Sequence, residues 1–127
     1  MNDPVFLSRE AVDLIHEASL RAFGGADGVR DENALESALA QPMQEHFYRQ
    51  ADLFQIAAAY AFHLAENQPY IDGNKRTGLL SALNFLAENG VVADQPVEEF
   101  YDAMIGIAEK RVDKAGLAAI FRRALPT

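Results

Sequence analysis

The sequence contains no cysteine, which excludes disulfide frameworks, zinc knuckles and thiol catalysis together. That fits a reducing compartment. It also lacks any run approaching the roughly 20 apolar residues of a membrane-spanning helix, and its start, MNDPVFLSRE, has neither the basic nor the apolar segment of a signal peptide. A soluble, cytoplasmic protein with no membrane partner is expected. Positive charge is scarce: 11 Lys and Arg stand against 19 Asp and Glu, a net charge of -8, so phosphate backbones would repel the chain as a whole. Direct nucleic-acid binding is not expected, whereas a local phosphate site needs only a few well-placed donors. No alternating strand pattern, repeat or low-complexity run is present. With 127 residues, half of them hydrophobic, the chain is expected to form one domain over 1–127 and to bury about two-thirds of its unfolded surface.

What is present is helical periodicity. Ser8 is placed to cap a helix through REAVDLIHEASLRAF, with Val12, Ile15, Ala18 and Ala22 at helical spacing and Gly24-Gly25 as the stop. GGADGVRD reads as a glycine-rich turn. Asp31 then caps ENALESALAQ, whose Leu35, Ala38 and Leu39 form a short apolar face, and Pro42 is expected to end the run. QPMQEHFYRQ has no clear period and reads as a loop. From Asp52 to Glu66 the chain is apolar nearly all the way round, as is NKRTGLLSALNFLAENG apart from a polar line of Thr77, Ser81, Asn84 and Glu88; such helices belong in the middle of a fold. Asp94 and Pro96 start a further helix carrying Phe100, Met104 and Ile107 on one face, and Asp113 caps a last one with Leu117, Ile120, Phe121 and Ala124 inward. The pattern predicts an all-α bundle of about five to six helices.

Between the two apolar helices lies NQPYIDGNKRTG, residues 67 to 78. A helix beginning near Asn74 has Lys75 and Arg76 in its first turn, where the macrodipole repels cations. Two cations at a positive helix end need an anion. Free backbone N–H groups there, with Gly73 permitting close approach, suit phosphate oxygens, and Asp72 alongside suits Mg²⁺ held by one carboxylate plus phosphates. The same residues admit a plainer reading, in which Asp72 caps the helix and the two cations pair with acidic residues of other helices.

The stretch QPYIDGNKRTG closely resembles the signature loop of the Fic/Doc superfamily, His-x-Phe-x-Asp/Glu-Gly-Asn-x-Arg, and its Asn-Lys-Arg-Thr ending resembles the death-on-curing (Doc) toxins. LIHEASLRAFGGADGVRDENALESALAQP is similar to the amino-terminal third of Doc-type proteins, so the likeness spans roughly residues 8 to 90. The resemblance implies a Fic-type helical fold with an anion hole for nucleotide phosphates. AMP-transferring members carry a glycine before the arginine and a second arginine three residues later; here those places hold Lys75 and Leu79. That implies the Doc branch, in which the γ-phosphate of ATP passes to a hydroxyl of a target protein, elongation factor Tu. In this reading Asp72 binds Mg²⁺, Gly73 and Asn74 shape the anion hole, and Lys75 and Arg76 hold phosphates and offset the charge of transfer. The alternatives are a Fic-type AMP-transferase and a catalytically inactive nucleotide- or antitoxin-binding module.

The departure from the pattern is Gln68, which stands where the resemblance places the histidine that takes the proton from the attacking hydroxyl. A carboxamide has no usable basicity at neutral pH, and loss of a general base typically lowers a rate about 10²–10⁴-fold. Of the three histidines, His63 reads as a hydrogen-bonded structural residue, His46 as a surface residue of the 41–50 loop, and His16 as a packing or capping residue. Tyr70 in place of the usual Phe can still anchor the loop if its hydroxyl finds a partner. The inhibitory Ser/Thr-x-x-x-Glu-Gly/Asn pattern of self-silencing relatives is absent. The Doc resemblance implies control by an antitoxin whose disordered tail folds into a groove of the amino-terminal helices.

Overall fold

Local capping chemistry sets most helix starts. The computed structural model describes residues 3–93 and 97–125, and six helices run through them: α1 (Arg9–Phe23), α2 (Glu32–Arg49), α3 (Leu53–Asn67), α4 (Asn74–Glu88), α5 (Val97–Ala108) and α6 (Lys114–Ala124). Ser8 Oγ accepts from Ala11 N at 3.1 Å, Asp31 Oδ1 from Ala34 N at 3.0 Å and Asp113 Oδ1 from Gly116 N at 2.7 Å. At α3 the cap is reciprocal, Asp52 and Gln55 each accepting from the other's backbone N–H at 2.8 Å, so two orphan donors are satisfied at once. The expected starter of α5, Asp94 with Pro96, lies outside the described residues.

The all-α expectation holds, and α3 is its axis. It packs against α2, α4, α5 and α6, and Ile56, Ala57, Ala58, Ala59, Tyr60 and Ala61 are completely buried. Small residues bring α3 and α4 together: a Cβ added to Gly78 would stand 2.8 Å from the carbonyl oxygen of Ala61, inside van der Waals contact. The Tyr60 hydroxyl accepts from Leu7 N at 2.9 Å, and burial raises its pKa to about 12. Of the expected inner faces of the last two helices, Phe100, Met104, Ile107, Leu117 and Phe121 are buried, while Ile120 and Ala124 are half-buried against the core. No helix of the described residues is long and apolar enough to cross a membrane.

Three expectations are corrected. First, the segment 41–50 is not a loop: α2 continues through Pro42 to Arg49. The period was hidden because two of its buried positions are a proline and a glutamate, in the series Leu35, Ala38, Pro42 and Glu45. Burying the Pro42 ring inside the bundle offsets the ladder hydrogen bond that a proline forfeits. His46 accordingly sits on a helix, its Nε2 3.0 Å from Asp3 Oδ1 and its ring edge-on to Phe47. Second, α1 buries Val12, His16 and Ser19, while Ala18 and Ala22 are exposed. Third, the polar line of α4 does not face water throughout. Thr77 and Ser81 are completely buried and their hydroxyls make no hydrogen bond among the described residues, whereas Asn84 and Glu88 are exposed. Their small volume fits the close helix crossing, at the expense of unsatisfied hydroxyls.

His63 is structural, as expected. Its Nε2 lies 3.1 Å from Lys114 Nζ, which is itself 2.6 Å from Glu45 Oε1. An ammonium only donates, so the imidazole accepts and is neutral. Burial first, and the Lys114 charge second, push its pKa down from 6.5 to about 4. Since the unfolded chain binds the proton more readily, the stability that the neutral ring contributes is full above pH 6.5 and is lost as pH falls toward 4. Urea unfolding at pH 7.5 and 5 (buffer conditions) is expected to show a larger acid-induced drop for the native chain than for His63→Gln. Equal drops would refute the assignment.

Candidate functional site

The site is built where α3 stops and α4 starts. Gln68 takes a left-handed conformation, φ 48 and ψ 56, and Pro69 prevents continuation of the helix. Arg30, from the turn between α1 and α2, holds this end in place: its Nε donates to Gln68 O at 2.7 Å and its Nη2 to Asn67 O at 2.9 Å. A cation on the last carbonyls of a helix also complements the dipole. The loop then runs beside the same turn. Val29 and Tyr70 form an antiparallel bridge, Pro69 O accepts from Arg30 N at 2.7 Å and Asp31 N at 3.1 Å, and Gly28 O accepts from Ile71 N at 3.0 Å.

Tyr70 is the loop's anchor. Its ring is 2% exposed and stacks on His16 with centroids 3.8 Å apart and planes within 10°. Its hydroxyl donates to Asp13 Oδ1 at 2.7 Å, the partner that sequence alone required of it. Burial, then the bond to Asp13, raise the phenol pKa above its ordinary value. His16 Nε2 donates to Asp72 O at 2.9 Å, so this histidine both packs and ties the loop to α1. Asn74 closes the loop from the other side, its Oδ1 accepting from Tyr70 N and its Nδ2 donating to Tyr70 O, both at 3.0 Å.

The start of α4 differs from the other described helix starts. Its N-cap is Gly73, at φ 80, and no side chain caps the first turn, leaving backbone N–H groups of that turn without an intrahelical partner. Asp72 does not cap it. Its Oδ2 instead accepts from Ala26 N at 2.9 Å, close to Gly25, where a Cβ would stand 3.2 Å from that of Asp72. Its Oδ1 has no hydrogen-bond partner among the described residues, and the side chain is exposed.

A cleft of about 320 Å³ opens at this helix end, lined by Gln68, Asp72, Gly73, Asn74 and Lys75 and also by Glu66, Ile107 and Lys110. Five of the six residues singled out from the sequence therefore meet in one cavity. Arg76 does not join them. Its guanidinium lies 3.9 Å from the ring centroid of Phe23 and 4.8 Å from that of Tyr101, lining a different cleft of about 440 Å³. His46 and His63 do not line the cleft of Gln68.

Sequence reading did not assign Arg30, Glu66 or Lys110 to the site. A charged residue in a glycine-rich turn was the only sign of Arg30, and no local pattern ties Lys110 to the loop. Asp72 is the residue that fits a metal: no cluster of three or more acidic, His or Cys ligands occurs among the described residues, and a single carboxylate suits Mg²⁺, which keeps waters and shares phosphate oxygens.

A sequence model described as the Fic/DOC family matches residues 6–86. The chain is 34% identical over 119 residues to the protein kinase doc of Escherichia phage P1, covering 92% of this chain and 93% of that protein. It is 38% identical over 118 residues to the toxin Doc of Mycolicibacterium smegmatis, covering 90% and 88%.

Proposed function

Because this chain belongs to the Fic/DOC family, we propose that it is a Doc-type toxin of a toxin–antitoxin pair, transferring the γ-phosphate of ATP to a hydroxyl of a target protein in the cytoplasm. Elongation factor Tu is the target this reading favours. The observation that carries it is the uncapped α4 start, whose free N–H groups share one cleft with Asp72, Lys75 and Gln68.

Each residue has a chemical task there. The amides after Gly73 and the Lys75 ammonium bind phosphate oxygens and offset the charge that spreads over them in the transition state. Asp72 would hold Mg²⁺, which would supply positive charge against the phosphates during transfer. The target's hydroxyl oxygen bonds to the γ-phosphorus as the bond to the bridging oxygen breaks and ADP leaves. Asn74 keeps the loop folded rather than touching substrate, since its amide is spent on Tyr70. Arg76 reaches the phosphates only by leaving Phe23 and Tyr101. The hydroxyl proton is the weak point: Gln68 is not a base, so the proton passes to solvent water, which makes transfer slow. That single residue favours a second reading, a module that binds nucleotide or antitoxin without chemistry. The antitoxin partner is proposed to fold a disordered tail onto the amino-terminal helices.

The readings separate when the chain and Mg²⁺ are incubated with cell extract and ATP labelled on the α- or the γ-phosphate. Slow γ-label transfer to one protein band is the expected result. Transfer of the α-label would establish AMP transfer instead, and nucleotide binding without any transfer would establish the non-catalytic module.

A further inference from the structure

Lys110 enters the cleft from outside the signature loop. It follows the last turn of α5 with φ 63, a left-handed conformation that crowds any residue with a Cβ and is normally given to glycine. The turn is locked there: Lys110 N donates to Ile107 O at 3.0 Å and Arg111 N to Gly106 O at 2.8 Å. The lysine that occupies this position lines the cleft with Lys75, and these are the two cations that do so. Its Nζ lies 2.7 Å from Glu66 Oε1, with the lysine side chain 72% exposed and the glutamate 28%. An ion pair this exposed is weak. A phosphate group bears more charge than a carboxylate and accepts stronger hydrogen bonds from an ammonium. Both side chains also line the adjoining cleft of about 520 Å³ between α3, α5 and α6, so the lysine has room to turn.

We infer that Lys110 is a second phosphate-binding residue of the cleft, exchanging Glu66 for the phosphates of the nucleotide, and that Glu66 competes with them for the ammonium. This rests on the nucleotide-binding reading above. A strained residue at a candidate site is a lead to function, and here the strain brings a charge to where a triphosphate needs one.

Titration calorimetry of the full chain with Mg-ATP and with inorganic tripolyphosphate tests it, together with melting temperatures. Lys110→Gly is expected to weaken both ligands about three- to tenfold, while melting at the same or a higher temperature, because glycine fits the left-handed position. Glu66→Gln is expected to tighten both about two- to fivefold by removing the competitor. A purely structural lysine would give neither change in affinity. If Lys75→Ala weakens binding and Lys110→Gly does not, the inference is overturned and the nucleotide site stands. Failure of the native chain to bind either ligand overturns both.

Discussion

Gln68→His is expected to raise the rate of γ-phosphate transfer about 10²–10⁴-fold, the usual worth of a positioned general base. Position 68 suits the exchange. Its side chain is exposed and lines the cleft, so the imidazole enters no packed core. Its backbone is at φ 48, a region in which histidine is among the better tolerated residues. The carbonyls that fix the backbone there are held by Arg30, and this clamp does not involve the residue 68 side chain. A free imidazole titrates near pH 6.5, so the variant's single-turnover rate should rise through about pH 6–7 as the base loses its proton, a limb the native chain lacks. Initial rates with γ-labelled ATP and growth arrest on induction both read the effect. An unchanged rate with intact nucleotide binding would mean that the chemistry does not run through position 68.

Tyr70→Ala is expected to be the most damaging single change near the site. Removing a buried aromatic side chain typically lowers stability by about 3–5 kcal/mol, a large part of the roughly 5–15 kcal/mol that holds a domain folded. The loss here comprises the ring stacked on His16 and the hydroxyl bond to Asp13. Asp13 keeps Arg9 at 3.0 Å, so its carboxylate is not stranded. Tyr70→Phe keeps the ring and should lose about 0.5–1.5 kcal/mol, the net worth of one hydrogen bond. Urea unfolding measures both. Nucleotide affinity should fall for the alanine variant under conditions where it is still folded, and hold for phenylalanine, because the ring fixes the loop that carries Asp72 and Gly73. A loss below about 1 kcal/mol for Tyr70→Ala would show that the loop is held by its backbone bridge to residues 28–31 instead.

Much of the site was legible before any coordinates. Asp72, Gly73 and Lys75 lie within a few residues of one another, and local sequence dictates that they stand around a helix start. Arg76 shows where that logic stops. Adjacent positions on a helix differ by about 100° in direction, so Lys75 and Arg76 cannot share a face, and which of the two meets the cleft depends on the neighbours. Phe23 and Tyr101 supply a stack that draws the guanidinium away; those residues lie on α1 and α5, far from the loop in sequence. The amino-terminal block that accompanies the loop in the family resemblance also gains a physical reason, since Asp13, His16, Ala26, Gly28 and Arg30 all bond to the loop or its flanks.

The sequence by itself determined most of the helices and the caps Ser8, Asp31 and Asp113. These are consequences of interactions within about four residues, which the order of side chains encodes directly. Tertiary structure alone decided that α2 runs through Pro42, that Thr77 and Ser81 are buried, that Arg76 turns from the cleft and that Lys110 reaches it. Each of these depends on which surface of another helix faces the residue, a relation set by packing of the whole chain rather than by local order.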